Sequence, residues 1–322
     1  FQAEDGIRDC LLSRGLGDVY KRQSLGSMPD TYGYEVPEQR AQETLKRFFQ
    51  GPVNMLDTSR NYAMGESEKR IGIAIKENGG WPENFILSTK IDRNMETLVL
   101  DKKRTRESIE ESLKTLNVDS VDILFLHDPE YVKDVNDITK KDGALDELFK
   151  IKEEGLAKAV GLAMGKINIM FPLLKNWDFD VIINHNRYTL LNREADEMYS
   201  YAHSKNISIF NAAPYAGGVL AKGPSNFKKI TYQDVTEEKL APAREIEKVC
   251  KKYNVEMGAA ALQFSMKDKR ITSTLCGVTS IQSIEKNLSW AKTSIPEEFW
   301  NEVLKLPYSS KDPESERKYT PG

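Results

Sequence analysis

Short apolar runs alternate eight times with amphipathic stretches of helical period, and that rhythm decides what the chain can become. The runs are S-L-G-S-M from position 24, V-N-M-L-D-T from 53, N-F-I-L-S-T-K from 84 and V-D-I-L-F-L-H from 121. They continue with A-K-A-V-G-L-A from 157, F-D-V-I-I-N-H from 179, I-S-I-F-N-A-A from 207 and T-S-T-L-C-G from 272. Helical spacing of apolar residues fills 37–50, 66–77, 104–116, 143–154, 166–175, 193–204, 238–253 and 281–291. Strand-like runs that are apolar throughout, each followed by an amphipathic helix, are the pattern of parallel strands covered on both faces. Eight such units without a dividing linker predict an α/β fold with one domain, a (β/α)8 TIM barrel, at its usual size of about 250 residues plus insertions. A doubly wound sheet would carry G-x-G-x-x-G after its first strand, which 24–322 lacks. Pro37 suits a first helical turn, and Ser280 to Ser283 offer capping hydroxyls where the 281–291 helix begins.

Residues 1–23 break the rhythm. They hold no steady period of 2 or 3.6, mix Gly6, Gly15 and Gly17 with alternating charges, and resemble the translation of a sequencing adapter. The expectation is a non-native leader at 1–23 and a barrel at 24–322, with the natural amino terminus replaced.

Composition limits the partners. The 46 Lys and Arg against 49 Asp and Glu give a net charge of −3 with the signs interspersed, so no nucleic-acid face is expected and a small-molecule partner is. There is no apolar run of the ~18 residues that a membrane span requires, so no membrane partner is expected either. Three scattered cysteines, Cys10, Cys250 and Cys276, form no C-x-x-C pair and predict neither a disulfide framework nor a metal site. A reducing, cytoplasmic location fits.

Barrel chemistry sits on the carboxyl ends of the strands. Asp57 ends the second run, Tyr62 follows in the loop D-T-S-R-N-Y, Lys90 ends the third run and His127 ends the fourth. An ammonium beside a phenol favours the phenolate, a carboxylate steadies the ammonium, and an imidazole nearby can orient a substrate oxygen. Singly, each has an ordinary structural role: the Asp as a cap, the Tyr as partly buried packing, the Lys as a solvated charge, the His as a satisfied core residue.

Taken with their surroundings, these residues resemble the aldo-keto reductases. The resemblance rests on L-D-T-S-R-N-Y-A-M-G-E-S-E-K-R-I-G, on S-T-K, on the segment from Arg106 through I-L-F-L-H-D-P, and on Y-T-L-L-N-R at 188–193. The H-D-P ending and C-G-V-T-S-I are similar to the sugar-oxidising branch, the L-galactose, L-fucose and D-threo-aldose 1-dehydrogenases. The resemblance implies NAD(P)-dependent interconversion of carbonyl and alcohol without metal, with the catalytic tetrad on Asp57, Tyr62, Lys90 and His127. It also implies an amino-terminal hairpin, whose absence is the expectation for this chain.

Departures from the family pattern bear on the cofactor. Ala163 and Met164 stand where Ser-Asn often binds the carboxamide, leaving Asn184, His185 and Asn186 as candidates. Ala212 replaces a stacking aromatic. Pro214, Gly217 and Gly218 resemble the pyrophosphate-side loop, and Gly277, Thr279, Ser283 and Asn287 the adenine side. No cation occurs from Cys276 until Lys286, which suits a free ribose and predicts NAD in preference to NADP. Tyr32, Tyr34, Trp81 and Tyr131 are candidate substrate contacts. The rival readings are a cofactor-binding redox sensor or regulatory subunit with little turnover, and a barrel aldolase using Lys90 as a Schiff base.

Overall fold

The computed structural model describes residues 18–21, Leu25, Ser27 and 35–317; Tyr32 and Tyr34 lie outside them. Eight parallel strands close into a barrel: β1 Asp18–Lys21, β2 Met55–Asp57, β3 Ile86–Ile91, β4 Val121–His127, β5 Ala157–Met164, β6 Val181–His185, β7 Ser208–Ala212 and β8 Ser273–Gly277. Each lies beside its neighbours in chain order, and β1 closes the ring by pairing with both β8 and β2.

The main helices are α1 Glu38–Phe49, α2 Glu66–Glu77, α3 Lys102–Leu116, α4 Ala144–Glu153 and α5 Ile167–Asn176. They continue with α6 Asp196–Ser204, α7 Glu237–Lys252, α8 Met257–Met266, α9 Ile281–Lys292 and α10 Glu297–Val303. The eight expected helical stretches correspond to α1–α7 and α9. Pro37 is the N-cap of α1, one position before its first helical residue. Ser280 caps α9 in a reciprocal capping box with Ser283, as its hydroxyl suggested.

One expectation needs correction, and one helix was not expected. The first strand is Asp18–Lys21 and not the run from Ser24, where Leu25 sits in a helical turn. Barrel closure uses backbone hydrogen bonds, which any non-proline residue supplies, so no apolar signature marks this strand. The helix α8 carries no amphipathic stripe, because Met257–Leu262, Phe264 and Ser265 are all buried. A helix enclosed on nearly every side has no polar face to set a period.

The strand period of two sorts side chains into two cores. Met55, Ile86, Ile123, Phe125, Ala159, Ala163, Val181, Ile183, Phe210, Ala212 and Leu275 fill the barrel. Leu56, Leu87, Leu124, Leu126, Leu162, Ile182 and Ile209 face the helices and join the larger outer core. Between β5 and β6 the approach is so close that a Cβ on Gly161 would stand 1.9 Å from the Val181 carbonyl oxygen.

Candidate active site

The alternation that fills the barrel also aims the site. Asp57 shares its parity with Met55, Lys90 with Ile86, and His127 with Ile123 and Phe125, so the three polar side chains end the inward rows of β2, β3 and β4. Lys90 Nζ lies 6.0 Å from the centre of the Phe125 ring, immediately above the apolar filling. Lys90 and Asp57 are both fully buried. The ammonium donates to both Asp57 oxygens at 2.7 Å and to the Thr58 carbonyl. The Ser88 hydroxyl donates to Asp57 Oδ1 at 2.7 Å, fixing the carboxylate from below.

Tyr62 comes from the helical turn after β2, where Ala63 and Met64 adopt left-handed backbone before Gly65 starts α2. Its ring centre is 4.9 Å from Lys90 Nζ and 5.6 Å from the His127 ring, which it meets at 80°. The tetrad named from sequence is thus assembled in one place. With all three ammonium hydrogens committed to Asp57 and Thr58, Lys90 is held as a charge and not presented as a free amine, which disfavours the Schiff-base reading.

A second buried carboxylate supports the site. Asp92, two residues past Lys90 on the same parity, lies 2.6 Å through Oδ1 from His127 Nδ1. Its Oδ2 accepts from the Ser59 hydroxyl at 2.5 Å and the Asn61 amide at 2.9 Å. Burial pushes this carboxyl up, but the imidazole charge and these hydrogen bonds outweigh it and hold Asp92 below the usual carboxylate range. Asp92 and Ser59 escaped the sequence reading, although continuing the alternation beyond Lys90 in K-I-D points to Asp92. On the other flank, burial and the nearby Asp128 charge push Glu130 up to about 7, even though the Gly165 and Lys166 amides donate to it at 2.9 and 3.2 Å.

The cofactor candidates divide. At the ends of β5, β7 and β8 the inward positions are Ala163, Ala212 and Gly277, small residues facing the polar half of the mouth. Small side chains at these three positions are what a flat ring such as a nicotinamide would need beside the tetrad, so the residues present are compatible with one. His185 has the inward parity of β6, but its Nε2 is 3.3 Å from Glu314 Oε2, and Asn186 donates to Glu314 Oε1 at 2.9 Å. Asn184 faces the helices. Its amide donates to the Met164 and Gly165 carbonyls at 2.9 Å and lies 3.7 Å from Met170 Sδ in α5, so it does not join the others.

After β7, Pro214 leads into Gly217 and Gly218, both with positive φ. A Cβ on Gly217 would stand 2.8 Å from the Thr231 and Tyr232 amides, so that glycine lets the loop pack on the short ribbon Lys229–Ile230 and Gln233–Asp234. Thr279 N and Ser280 N both donate to Ser283 Oγ, which itself donates to the Ser280 carbonyl at 2.7 Å, so this hydroxyl serves the cap. Asn287 accepts from the Tyr215 hydroxyl at 2.7 Å, tying α9 to the loop after β7.

Of the substrate candidates, Tyr131 lies on the rim after β4, with Arg93 at 5.7 Å and Lys166 at 5.3 Å from its ring centre. Trp81 is corrected. It precedes β3, donates to the Phe85 carbonyl at 3.0 Å and packs on Phe49 and Phe85, at the amino ends of the strands. A cavity of about 530 Å³ opens beside the carboxyl-terminal segment, lined by Asn186, Thr189, Ala216, Thr231, Gln233 and Tyr308 among others, and the tetrad does not border it. Among the described residues no group of three or more His, Cys, Asp or Glu could hold a metal ion, and no helix is long and apolar enough to cross a membrane.

The barrel thus gathers Asp57, Tyr62, Lys90 and His127 at the carboxyl ends of its strands. The chain belongs to the aldo/keto reductase family, whose model matches residues 24–306. It is 30% identical over 266 residues to L-galactose dehydrogenase of Arabidopsis thaliana, covering 79% of this chain and 78% of that one. It is 26% identical over 292 residues to D-threo-aldose 1-dehydrogenase of a Pseudomonas species, covering 83% and 87%. Among solved structures, the holo form of an aldo-keto reductase from Bacillus halodurans superposes with a TM-score of 0.74 at 20% identity, covering 94% of this chain and 95% of that chain.

Proposed function

We propose that the protein interconverts an alcohol and a carbonyl with NAD(P), and that it oxidises an aldose at C1. The supporting observation is the Lys90 ammonium, gripped by Asp57 and set 4.9 Å from the Tyr62 ring centre. A fixed positive charge there favours the phenolate, so Tyr62 takes the proton of the reacting hydroxyl in oxidation and returns it in reduction. Asp57 holds Lys90, and His127 binds the reacting oxygen and orients it. A bound nicotinamide supplies or accepts the hydride. The aldose assignment draws on the named activities of the two dehydrogenase relatives and on a site built of hydrogen-bonding groups.

Asn287, the loop Pro214–Gly218 and the segment Gly277–Ser283 are proposed to hold the dinucleotide. The preferred cofactor is NAD. The first cation after β8, Lys286, is paired with Glu256 at 2.5 Å, and Arg47 nearby is paired with Glu285 at 2.6 Å, so neither is left for a 2′-phosphate. Equal or better catalytic efficiency with NADP would overturn that preference. The Cys250 thiol is free and buried and Cys276 is buried at the end of β8, which suits a reducing cytoplasm. The assembled tetrad favours turnover over a purely regulatory role.

The test is Tyr62→Phe, assayed by nicotinamide absorbance against a panel of aldoses and aldehydes. Turnover should fall by about 10²-fold or more while cofactor affinity is retained. Activity near the wild-type level would refute the assignment.

A further inference from the structure

The hydrogen on His127 is placed by its surroundings. A carboxylate can only accept, and the fully buried Asp92 is held in that form by the imidazole, the Ser59 hydroxyl and the Asn61 amide. In the 2.6 Å contact between Asp92 Oδ1 and His127 Nδ1, the hydrogen therefore sits on Nδ1. Ser59 Oγ is 3.3 Å from the same nitrogen, but its own hydrogen goes to Asp92 Oδ2 at 2.5 Å. A neutral ring so held has a bare Nε2, and a bare nitrogen cannot donate to a substrate oxygen.

Among the described residues, the other ionisable groups facing the ring are Tyr62, edge-on at 5.6 Å, and Asp128, whose Oδ1 is 3.7 Å from Nε2. Lys90 stands behind Tyr62. In the proposed reaction Tyr62 takes the proton of the hydroxyl, so the remaining hydrogen bond to the reacting oxygen must be donated to it. His127 can give that bond from Nε2 only when both ring nitrogens are protonated.

We propose that Asp92 is a positioning residue that commits His127 to bind the reacting oxygen as an imidazolium, with Nδ1–H on Asp92 and Nε2–H on the substrate. This rests on the oxidoreductase reading and adds a requirement to it: the site carries one more proton when substrate is bound than a neutral histidine would give it. No bond to carbon is made or broken by this pair. The ring gains a proton from solvent at Nε2, and Asp92 supplies the counter-charge. Asp92→Asn changes the rule. An asparagine amide can donate to Nδ1, which leaves the hydrogen of a neutral ring on Nε2 and lets it donate at any pH.

The experiment begins with the free protein, labelled with ¹⁵N at its three histidines, His127 being assigned by its loss in His127→Gln. Spectra over about pH 6–9 should show the neutral His127 ring carrying its hydrogen on Nδ1, with part of that population moving to Nε2 in Asp92→Asn. A neutral wild-type ring protonated on Nε2 overturns the proposal, and this result needs no variant that might fold badly. In the kinetic arm, KM for a carbonyl substrate should rise with pH, by up to about tenfold per unit, in the wild type and stay flat in Asp92→Asn. The same slope in both proteins also overturns it. Absence of turnover with any carbonyl or alcohol counts against the oxidoreductase reading instead, and the spectrum of the free protein still decides the tautomer.

Discussion

Replacing Asp57 strands a charge inside the protein. Neither Lys90 nor Asp57 reaches solvent, and the ammonium has two carboxylate oxygens at 2.7 Å plus the Thr58 carbonyl as its partners. Removing one member of a buried ion pair typically costs about 3–5 kcal/mol, because the survivor remains desolvated and uncompensated. Asp57→Asn keeps an acceptor for Lys90 and for the Ser88 hydroxyl, so about 3 kcal/mol is expected; Asp57→Ala keeps neither and should approach about 5 kcal/mol. At roughly 1.5 °C per kcal/mol for a chain of this size, the melting temperature should drop by about 4–8 °C across the two variants. The double variant Asp57→Leu with Lys90→Met removes both charges at once. Apolar replacements of buried pairs are often neutral or stabilising, so the double variant should melt above Asp57→Ala despite carrying two changes. Denaturation followed by circular dichroism measures stability, and all three variants should lose turnover. A loss under about 1 kcal/mol in Asp57→Ala, or strictly additive losses in the double variant, would refute the picture of a desolvated pair holding the tetrad together.

Burial holds Glu68 at about 7 against an ordinary value of 4.5, with Thr89 donating to it at 2.5 Å. The folded protein therefore binds the proton that the unfolded chain releases, and stability falls as pH rises from about 4.5 through 7, by on the order of 3 kcal/mol for this group. Asp92 and Glu314, both held low, act in the opposite sense only below pH ~4. Glu68→Gln should flatten the decline in melting temperature between pH 5 and pH 8; identical pH profiles for the two proteins would contradict it. Ser280→Ala removes the cap of α9 and one half of its reciprocal hydrogen bonds, for a loss of about 1 kcal/mol in a denaturation experiment.

The parts of the site legible in sequence were those written on strand ends. Asp57, Lys90 and His127 each close an apolar run, so the position of the run located the residue. Asp92 was hidden because it lies two residues beyond the run and one past the end of β3, where the strand's alternation still holds. Asn184 failed for the complementary reason. It is next to the strand-end residue His185, but a one-residue step along a strand reverses the face, and it points at Met170 in place of the barrel mouth. Trp81 was assigned to the wrong end of the barrel because a loop read in isolation does not say whether it enters or leaves a strand.

The sequence by itself determined the barrel and the eight helices of visible period, and placed Asp57, Lys90 and His127 at strand ends, because hydrophobic period and chain order are local properties that a parallel fold preserves; their grouping with Tyr62 came from the family resemblance. Only the tertiary structure decided where the ring closes, why the fully enclosed helix α8 exists, and which polar groups share a proton. The closing strand is made by backbone pairing with β2 and β8, and α8 by neighbours on all sides. The contact between Asp92 and His127 spans 35 residues of chain and depends on two adjacent strands ending at one level. No sequence period carries a register between strands, so hydrogen-bond chemistry of that kind is settled only when the barrel closes.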